Sequence, residues 1–303
     1  MKILFHYFIF PGLFFSVVIG LLLCWADRKI TARLQWRVGP PWHQNFTDII
    51  KLLYKETIVP VNVRMTFFLA PAVGLFSATL AAAILGRSII SPLESFAGDL
   101  IVVLYLLTMP AIAMILGGSS SQNPLASVGA SREMKMVLAY ELPFLLSVIA
   151  VIIKNAGTIQ LGSIVNIQAN SGANIASLSG ACAFISAIFC MQAKLGFVPF
   201  DASEADQEIM GGTLIEYSGP LLAFFKLTKA VMFYTMPLLL IVLFLGKDTT
   251  PVFMILKYLL LVTIAVLIKN TNPRLRIDQA LRFFWGPMTA LATISVILAA
   301  IRL

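Results

Sequence analysis

The chain has 303 residues, of which 59% are hydrophobic and only 12% are charged, with a net charge of +8 at pH 7 and a mean hydropathy of +0.91. A soluble domain covers its surface with about a quarter charged residues, so this balance excludes a soluble protein and requires a lipid bilayer as solvent. The basic residues concentrate in loops between apolar segments, which indicates membrane topology rather than nucleic-acid binding.

Eight apolar segments follow one another along the chain, and each approaches the roughly 17–25 residues that a helix needs to cross a ~30 Å hydrocarbon layer. They lie at about 6–26, 66–86, 99–117, 136–153, 175–193, 220–245, 252–269 and 283–301. The segment at 175–193 has the weakest pattern. We therefore expect an all-α integral membrane protein with about eight transmembrane helices, in which residues 1–303 form a single polytopic membrane domain.

Basic residues indicate the orientation of the chain. The loops after the first, third, fifth and seventh segments carry Arg28, Lys29, Arg33, Arg37, Lys51, Lys55, Arg64, Arg132, Lys135, Lys194, Arg274, Arg276 and Arg282. The intervening loops carry only Arg87, Lys154 and Lys247. Because positive charge stays on the cytoplasmic side, these basic loops are expected inside and both termini outside.

The first basic loop contains a short amphipathic pattern. Phe46, Ile49, Ile50 and Leu53 follow helical spacing on one face, and Asp48, Lys51 and Lys55 occupy the opposite face. Such a pattern predicts a short helix that lies in the membrane interface.

The segment Pro199–Glu208, here called the acidic loop, concentrates negative charge on the predicted inner side. Its carboxylates are Asp201, Glu204, Asp206 and Glu208, and Glu216 follows closely. If the segment is helical, positions 201, 204 and 208 share one face. Packed against a membrane, such a cluster holds protons above the usual carboxyl pKa, as a proton relay requires. A helix-capping role for Asp201 and simple solvation of the loop remain alternatives.

Glu141 lies within the fourth predicted span, about 10 Å from its inner end and beside Pro143. A carboxylate at that depth costs several kcal/mol unless it is paired or protonated, which favours a proton-handling role. A neutral Glu141 in an interhelical hydrogen bond is the alternative. Lys226 and Lys229, spaced i and i+3 in the sixth span, are the expected counter-charges for Glu141 or for the acidic loop, unless they snorkel to the interface.

The chain offers little for a redox cofactor or a metal ion. Cys24, Cys182 and Cys190 lie in apolar runs without a CxxC motif, and the only histidines are His6 and His43. We expect no cofactor in this chain.

Several of these motifs together resemble the H-subunit family of respiratory complex I and its relatives in membrane-bound, energy-converting (group 4) NiFe hydrogenases. The resemblance rests, in chain order, on Asp27-Arg-Lys29, Arg37-Val-Gly-Pro40, Tyr140-Glu-Leu-Pro143, Pro199-Phe-Asp201, Gln207-Glu208, Glu216-Tyr-Ser-Gly219 and Arg274-Leu-Arg-Ile-Asp-Gln279. These motifs run from the first span to the last inner loop, so the resemblance covers nearly the whole chain.

The resemblance implies a non-catalytic subunit of an oxidoreductase complex in a prokaryotic cytoplasmic membrane. It implies an ion path through Glu141, Asp201, Glu204, Asp206, Glu208, Glu216, Lys226 and Lys229. It implies docking to a peripheral arm through Arg28, Lys29, Arg37, Arg274, Arg276 and Asp278. The implied partners are hydrogenase-like large and small subunits, a ferredoxin-like iron–sulfur subunit and antiporter-like membrane subunits; a nickel–iron (NiFe) centre and iron–sulfur clusters belong to those partners.

Two features concern the branch of the family. Lys226 is similar to a lysine of the hydrogenase members, and the segment from Gln122 to Glu133 also resembles that branch. Complex I members usually carry an acidic residue near the position of Lys229. We therefore expect a ferredoxin-linked hydrogenase or a sulfur-reducing relative. The alternatives are the quinone-site subunit of an NADH:quinone oxidoreductase and a stand-alone secondary ion transporter, although paired broken helices, typical of such transporters, are not seen in the sequence.

Overall fold

The computed structural model describes residues 2–60, 63–248 and 250–301, and the side chains of residues 2–4, 206 and 207 lie outside the described part. Within these ranges the chain is helical and contains no strand. The helices are α1 (Lys2–Phe8), α2 (Leu13–Leu34), α3 (Gln44–Tyr54), α4 (Thr66–Ile90), α5 (Asp99–Ser120), α6 (Pro124–Lys154), α7 (Leu161–Ser171), α8 (Leu178–Lys194), α9 (Asp206–Ile209), α10 (Gly219–Phe244), α11 (Pro251–Thr271), α12 (Ile277–Phe283) and α13 (Thr289–Ala300).

The eight predicted spans correspond to eight helical segments. In the described residues, seven are long and apolar enough to cross a membrane, with α1–α2 and α12–α13 each forming one span. The eighth, α8, has 17 residues, which is about 26 Å of helix and slightly less than a ~30 Å hydrocarbon layer. Because α8 packs among α6, α10 and α13, neighbouring helices cover much of it. The prediction of an all-α integral membrane protein is confirmed.

Helix α10 forms the centre of the bundle. It packs against α2, α4, α8 and α11, and every residue from 230 to 244 is buried. A helix that is apolar all round lies in the middle of a membrane bundle rather than at its edge. The other spans surround α10, so their inward polar side chains meet around its ends.

Helix α6 begins earlier than the hydropathy pattern predicted. The segment was expected to start near residue 136, whereas the helix starts at Pro124 and has 31 residues. The Asn123 side chain caps it by accepting a hydrogen bond from the Leu125 backbone N–H at 2.9 Å, and Pro124 suits the first helical turn. Residues 124–135 are therefore helical, and Glu133 lies on the same rigid helix as Glu141.

The predicted interfacial helix is α3. Asn45 anchors it, since its side-chain amide donates to the Leu21 carbonyl at 3.0 Å and accepts from the Arg28 guanidinium at 2.7 Å. Ile50 and Tyr54 remain exposed. The helix is thus fixed to α2 at one face and presents apolar side chains at another, as expected for an element at a membrane surface.

The two ends of the bundle differ in their connections. The loop residues 35–43, 55–60, 63–65, 195–205 and 272–276 lie at one end, here called the basic end, and α7 lies at the other, here called the opposite end. Helix α7 was not predicted, because its 11 residues are of mixed polarity. Its Gln168 side chain donates to the Val242 and Leu243 carbonyls at 2.8 and 3.2 Å and accepts from the Gly246 N–H at 2.8 Å.

Candidate functional site: ion pairs and a cavity at the basic end

The acidic loop does not form the predicted helical stripe. Only Asp206–Ile209 is helical, and the preceding residues form turns, with the Glu204 N–H bonded to the Asp201 carbonyl at 3.3 Å. The condition under which positions 201, 204 and 208 would share one helical face is therefore not met. Pro199 and the polar residues after it favour turns over a continuous helix.

Each described carboxylate of the acidic loop faces a different cation. Asp201 pairs with Arg274 at 2.9 Å, and Glu208 pairs with Arg132 at 2.6 Å. Glu204 pairs with Lys229 of α10. The loop is thus tied to three other elements: α6, α10 and the segment between α11 and α12. The predicted Asp206 belongs to the same segment, but its side chain lies outside the described part.

Glu141 pairs with Lys194, the last residue of α8. Their charged atoms are 2.7 Å apart, and the Lys194 side chain is only 1% exposed while that of Glu141 is 19% exposed. The expectation that Lys226 or Lys229 balances Glu141 is therefore wrong. Lys229 instead balances the acidic loop, which confirms the other half of that prediction. Lys226 is exposed on α10 and has no ion pair among the described residues.

Two aromatic rings also surround the Lys194 ammonium group. It lies 4.7 Å from the centroid of the Phe144 ring and 5.7 Å from that of Tyr140. Ring faces attract a cation, so they favour the charge that a buried lysine would otherwise lose to desolvation. Lys194 is held in this position by α6 alone, through one carboxylate and two rings.

A small cavity of about 30 Å³ lies between two partly buried ion pairs, Glu204–Lys229 and Lys194–Glu141. Its polar lining comes from Glu133, Tyr140, Lys194, Ser203, Glu204, Thr228 and Lys229. This volume is sufficient for at least one water molecule, and the lining offers it hydrogen-bond partners. One oxygen of Glu204 is buried without a partner, which a water molecule in this cavity would satisfy.

Glu133 is the most enclosed of the described carboxylates around this cavity, being 8% exposed. The Ser203 hydroxyl is close enough to hydrogen-bond its carboxyl group, and Glu204 and Lys229 lie within electrostatic range. Glu133 was not predicted as a site residue. Glu133 precedes the apolar part of its segment, so the sequence pattern assigned it to a basic loop. The signal that could have found it is its place on α6, which starts at Pro124 and not near residue 136.

A further ion pair lies at the same end of the bundle. Asp27 of α2 is buried and accepts from the Lys269 ammonium of α11 at 2.6 Å. The Lys269 ammonium also lies 4.9 Å from the centroid of the Phe197 ring. Lys269 was not predicted as a site residue, because it ends an apolar segment where a lysine ordinarily snorkels.

The remaining predicted residues lie at the surface of the basic end. Glu216 accepts from the Asn123 side-chain amide at 2.5 Å. Lys29 is half-buried, and its ammonium group donates a hydrogen bond to the Gly39 carbonyl at 3.4 Å. The residues that remain exposed are Arg28, Arg37, Arg274, Arg276 and Asp278. These exposed charges lie at the same end of the bundle as the ion pairs.

Glu141 lies at the lateral edge of the bundle. On α6 the large apolar side chains at i, i+4, i+8, i+11 and i+15 are exposed, and they are Met134, Leu138, Leu142, Leu145 and Ile149. This set is here called the α6 stripe. Glu141 is adjacent to the α6 stripe along the helix. The charged groups from Glu204 and Lys229 to Lys194 and Glu141 therefore extend from the acidic loop to a flank of the protein.

Burial and charge act in opposite directions on the pKa of Asp201. Burial raises the pKa of the Asp201 carboxyl, and the Arg274 guanidinium acts in the opposite direction. The two causes oppose each other, so a movement of Arg274 would change how readily Asp201 binds a proton. Among the described residues, no group of three or more His, Cys, Asp and Glu side chains is placed to hold a metal ion.

Comparison with known proteins places this arrangement in a family. The sequence profile of the NADH dehydrogenase family matches residues 8–300. The chain belongs to the NADH dehydrogenase family. The H subunit of the NADH-quinone oxidoreductase of Anoxybacillus flavithermus is 30% identical over 96% of this chain and 94% of its own length. The corresponding protein of Geobacillus thermodenitrificans is 30% identical over 91% of this chain and 87% of its own length.

A solved structure supports the same assignment. The fold of this NADH dehydrogenase family member is similar, with a TM-score of 0.89 and 28% identity, to a chain in the membrane-bound sulfane sulfur reductase, an archaeal respiratory membrane complex. The match covers 99% of this chain and 100% of the other. The resemblance inferred from the motifs is confirmed, and the protein is a multi-pass membrane subunit of the kind found in respiratory membrane complexes.

Proposed function

We propose that this protein anchors a peripheral redox module to the membrane and couples that module to proton or sodium translocation. The observation that supports this proposal best is the row formed by Glu204–Lys229, the cavity and Lys194–Glu141. Buried ionisable groups are costly in a membrane protein and mark ion or proton pathways. A purely structural bundle would not need several of them in line.

The coupling follows from how the pairs are held. A redox event in the partner changes charge or position at the acidic loop, and the partners of Asp201 and Glu204 then differ between two states. Because a carboxylate beside a cation binds protons less readily than one without, the two states have different proton affinities. Such a difference is the free energy that links two sites. The change in protonation at the acidic loop is then passed to Glu141 at the flank of the bundle.

Each surface of the molecule has a corresponding partner in this proposal. The exposed charges Arg28, Arg37, Arg274, Arg276 and Asp278, together with the half-buried Lys29, face a peripheral arm of hydrogenase-like large and small subunits and a ferredoxin-like iron–sulfur subunit. An antiporter-like membrane subunit covers the α6 stripe beside Glu141. The basic end faces the cytoplasm, where positive charge is retained. The NiFe centre and iron–sulfur clusters belong to those partners.

The decisive experiment replaces Glu141 with Gln and compares ion translocation with redox turnover in the purified complex reconstituted in liposomes. We expect turnover and subunit content to be retained and translocation per turnover to be lost. Glu94→Gln is the matched control, since Glu94 pairs with Arg87 at the opposite end of the bundle. Full translocation by Glu141→Gln would disprove the proposal.

Neutralising Glu141 leaves a buried lysine without its partner, which could affect assembly. The double variant Glu141→Gln with Lys194→Gln removes both charges while an amide hydrogen bond between the two side chains can replace the ion pair. An assembled double variant that turns over without translocation supports the coupling role. If this variant translocates ions normally, the pair is structural only.

We propose a complex of the ferredoxin-linked hydrogenase type or its sulfur-reducing relative, in agreement with the fold similarity to the archaeal sulfane sulfur reductase complex. The quinone-site subunit of an NADH:quinone oxidoreductase is the second candidate, because the curated relatives at 30% identity carry that name. Mass spectrometry of the chains that copurify in mild detergent separates the two. A nickel-binding large subunit favours the first candidate, and flavin-containing NADH-oxidising chains favour the second.

A further inference from the structure

Between the partly buried pairs Glu204–Lys229 and Lys194–Glu141 the structure places a third carboxyl group, Glu133, and a cavity. We infer that Glu133 carries the proton between Glu204 and Lys194, with water in the cavity completing the connection. This inference rests on the proposed coupling function and assigns the step that joins its two halves.

The position of Glu133 on α6 supports this role. Glu133 and Tyr140 are spaced i and i+7, so they lie on one face of the helix, about 10 Å apart along its axis. Both side chains line the cavity. Glu141 follows Tyr140 directly but does not line the cavity, and it reaches Lys194 instead. The same helix therefore presents one carboxyl group to the cavity and another to the lateral flank.

The surroundings of the cavity restrict the possible routes. Helix α10 contributes Lys229 and Thr228, the acidic loop contributes Ser203 and Glu204, and α8 contributes Lys194. Helix α5 contributes only the apolar residues Leu107, Pro110, Ala111 and Met114. Protons cannot be held along this apolar wall, so the route from Glu204 to Lys194 follows the polar side of the cavity, where Glu133 supplies a further carboxyl group.

The transfer balances without electrons or further reactants. The protonated Glu204 carboxyl gives its proton to the Glu133 carboxylate: one O–H bond breaks and another forms. The Lys194 ammonium then gives a proton to the Glu141 carboxylate, at an N–O distance of 2.7 Å. Glu133 restores the ammonium group through a cavity water, which accepts one proton as it donates another. One proton has then moved from Glu204 to Glu141.

Glu133→Gln tests the carrier directly in the reconstituted complex. We expect ion translocation per redox turnover to fall by about tenfold or more, since loss of a positioned acid–base group typically costs at least that much. Glu133→Asp keeps an ionisable carboxyl group and should recover part of the rate. Infrared difference spectra should show a carboxyl C=O band that changes on turnover and that is absent from Glu133→Gln.

A second variant tests the water without touching any ionisable group. Ala111→Leu on α5 extends an apolar side chain into the cavity and should lower translocation while Glu133 and both ion pairs stay in place. Ala111→Ser is the matched control, because it alters the same position but leaves room and a hydrogen-bonding group for water.

The outcomes separate this inference from the function on which it rests. If Glu141→Gln fails to translocate but Glu133→Gln translocates in full, the carrier role of Glu133 is overturned and the coupling function stands. If both translocate in full, the coupling function itself fails. A Glu133→Gln variant that keeps the infrared band, or an Ala111→Leu variant with normal translocation, also overturns the route described above.

Discussion

The two ends of this bundle bury polar groups in different ways. At the opposite end, the fully buried Gln168 side chain is satisfied by backbone groups of residues 242, 243 and 246, and Asn174 donates to the Leu243 carbonyl at 2.8 Å. At the basic end, ion pairs and a cavity replace this neutral network, and one oxygen of Glu204 has no partner. Around Gln168 the polar groups are neutral amides, whereas the basic end has paired carboxylates and lysines whose protonation can change.

This difference suggests that the two ends have separate tasks. A neutral amide that bonds to backbone carbonyls has no second charge state near neutral pH, so it can only hold helices together. Carboxylates beside lysines have two charge states, and the balance between them depends on their neighbours. Substitutions in the Gln168 network should therefore change stability alone, and those in the ion pairs of the basic end should change stability and coupling together.

The largest effect is expected for Lys194→Met. It leaves the Glu141 carboxylate without its cation, and removal of one partner of a buried ion pair costs about 3–5 kcal/mol. Equilibrium unfolding in mixed detergent measures this loss, and translocation should fail as well. Lys257→Met is the control, since the Lys257 ammonium bonds to the Leu245 and Asp248 carbonyls at 2.7 and 2.9 Å and has no place in the proposed path. Equal loss of coupling in both variants would contradict the division between the ends.

An intermediate effect is expected for Gln168→Leu. The substitution removes the acceptor for the Gly246 N–H and the donor to the Val242 carbonyl, and each unsatisfied buried group costs about 1–3 kcal/mol. Unfolding should become easier while ion translocation per turnover in the assembled complex stays at the wild-type level. A drop in translocation without a drop in subunit content would show that the opposite end participates in coupling.

The smallest effect is expected for Arg274→Ala. The pair with Asp201 is partly exposed, with 42% and 13% of the two side chains accessible, so its contribution to stability is about 1 kcal/mol or less. Arg276→Ala is the matched control, because Arg276 is exposed and two residues away. Only the Arg274 variant should alter the titration of Asp201.

The direction of that change follows from the charges. Burial already raises the pKa of Asp201 and Arg274 counteracts it, so the pKa rises further in Arg274→Ala. A carboxyl group whose folded-state pKa is raised reduces stability above its unfolded pKa of about 4. The added instability should therefore be present at neutral pH and disappear as the pH falls towards about 4. Infrared titration, with Asp201→Asn to assign the band, measures the shift.

Much of the fold was predictable because a bilayer imposes a length and an apolar composition on each span. Seven spans followed directly from that pattern, and even the short α8 matched the predicted segment closely. Helix α3 followed instead from its amphipathic spacing. Helix α7 was missed, since its packing at the end of the bundle, rather than its own sequence, makes it a helix. The start of α6 was missed because an N-terminal cap and proline extend a helix into polar sequence.

The site was predictable in its acidic members but not in its pairings. Asp201, Glu204, Glu208 and Glu141 are unusual in such a chain and are noticed one by one. Which lysine meets which carboxylate depends on how separate helices pack, and the partners Glu141 and Lys194 are 53 residues apart. Lys194 was interpreted only as an orientation signal, although a lysine directly after an apolar segment can equally be buried against a neighbour.

That separation of 53 residues also has a consequence for how the chain is made. Synthesis runs from the N-terminus, so α6 emerges and enters the membrane before α8 exists. During this interval Glu141 has no lysine beside it, and a lone carboxylate in hydrocarbon is unfavourable. The Glu141 side chain therefore depends on other polar neighbours or on the insertion machinery until α8 arrives. The pair thus sets an order of biogenesis, in which α8 completes the insertion of a helix made before it.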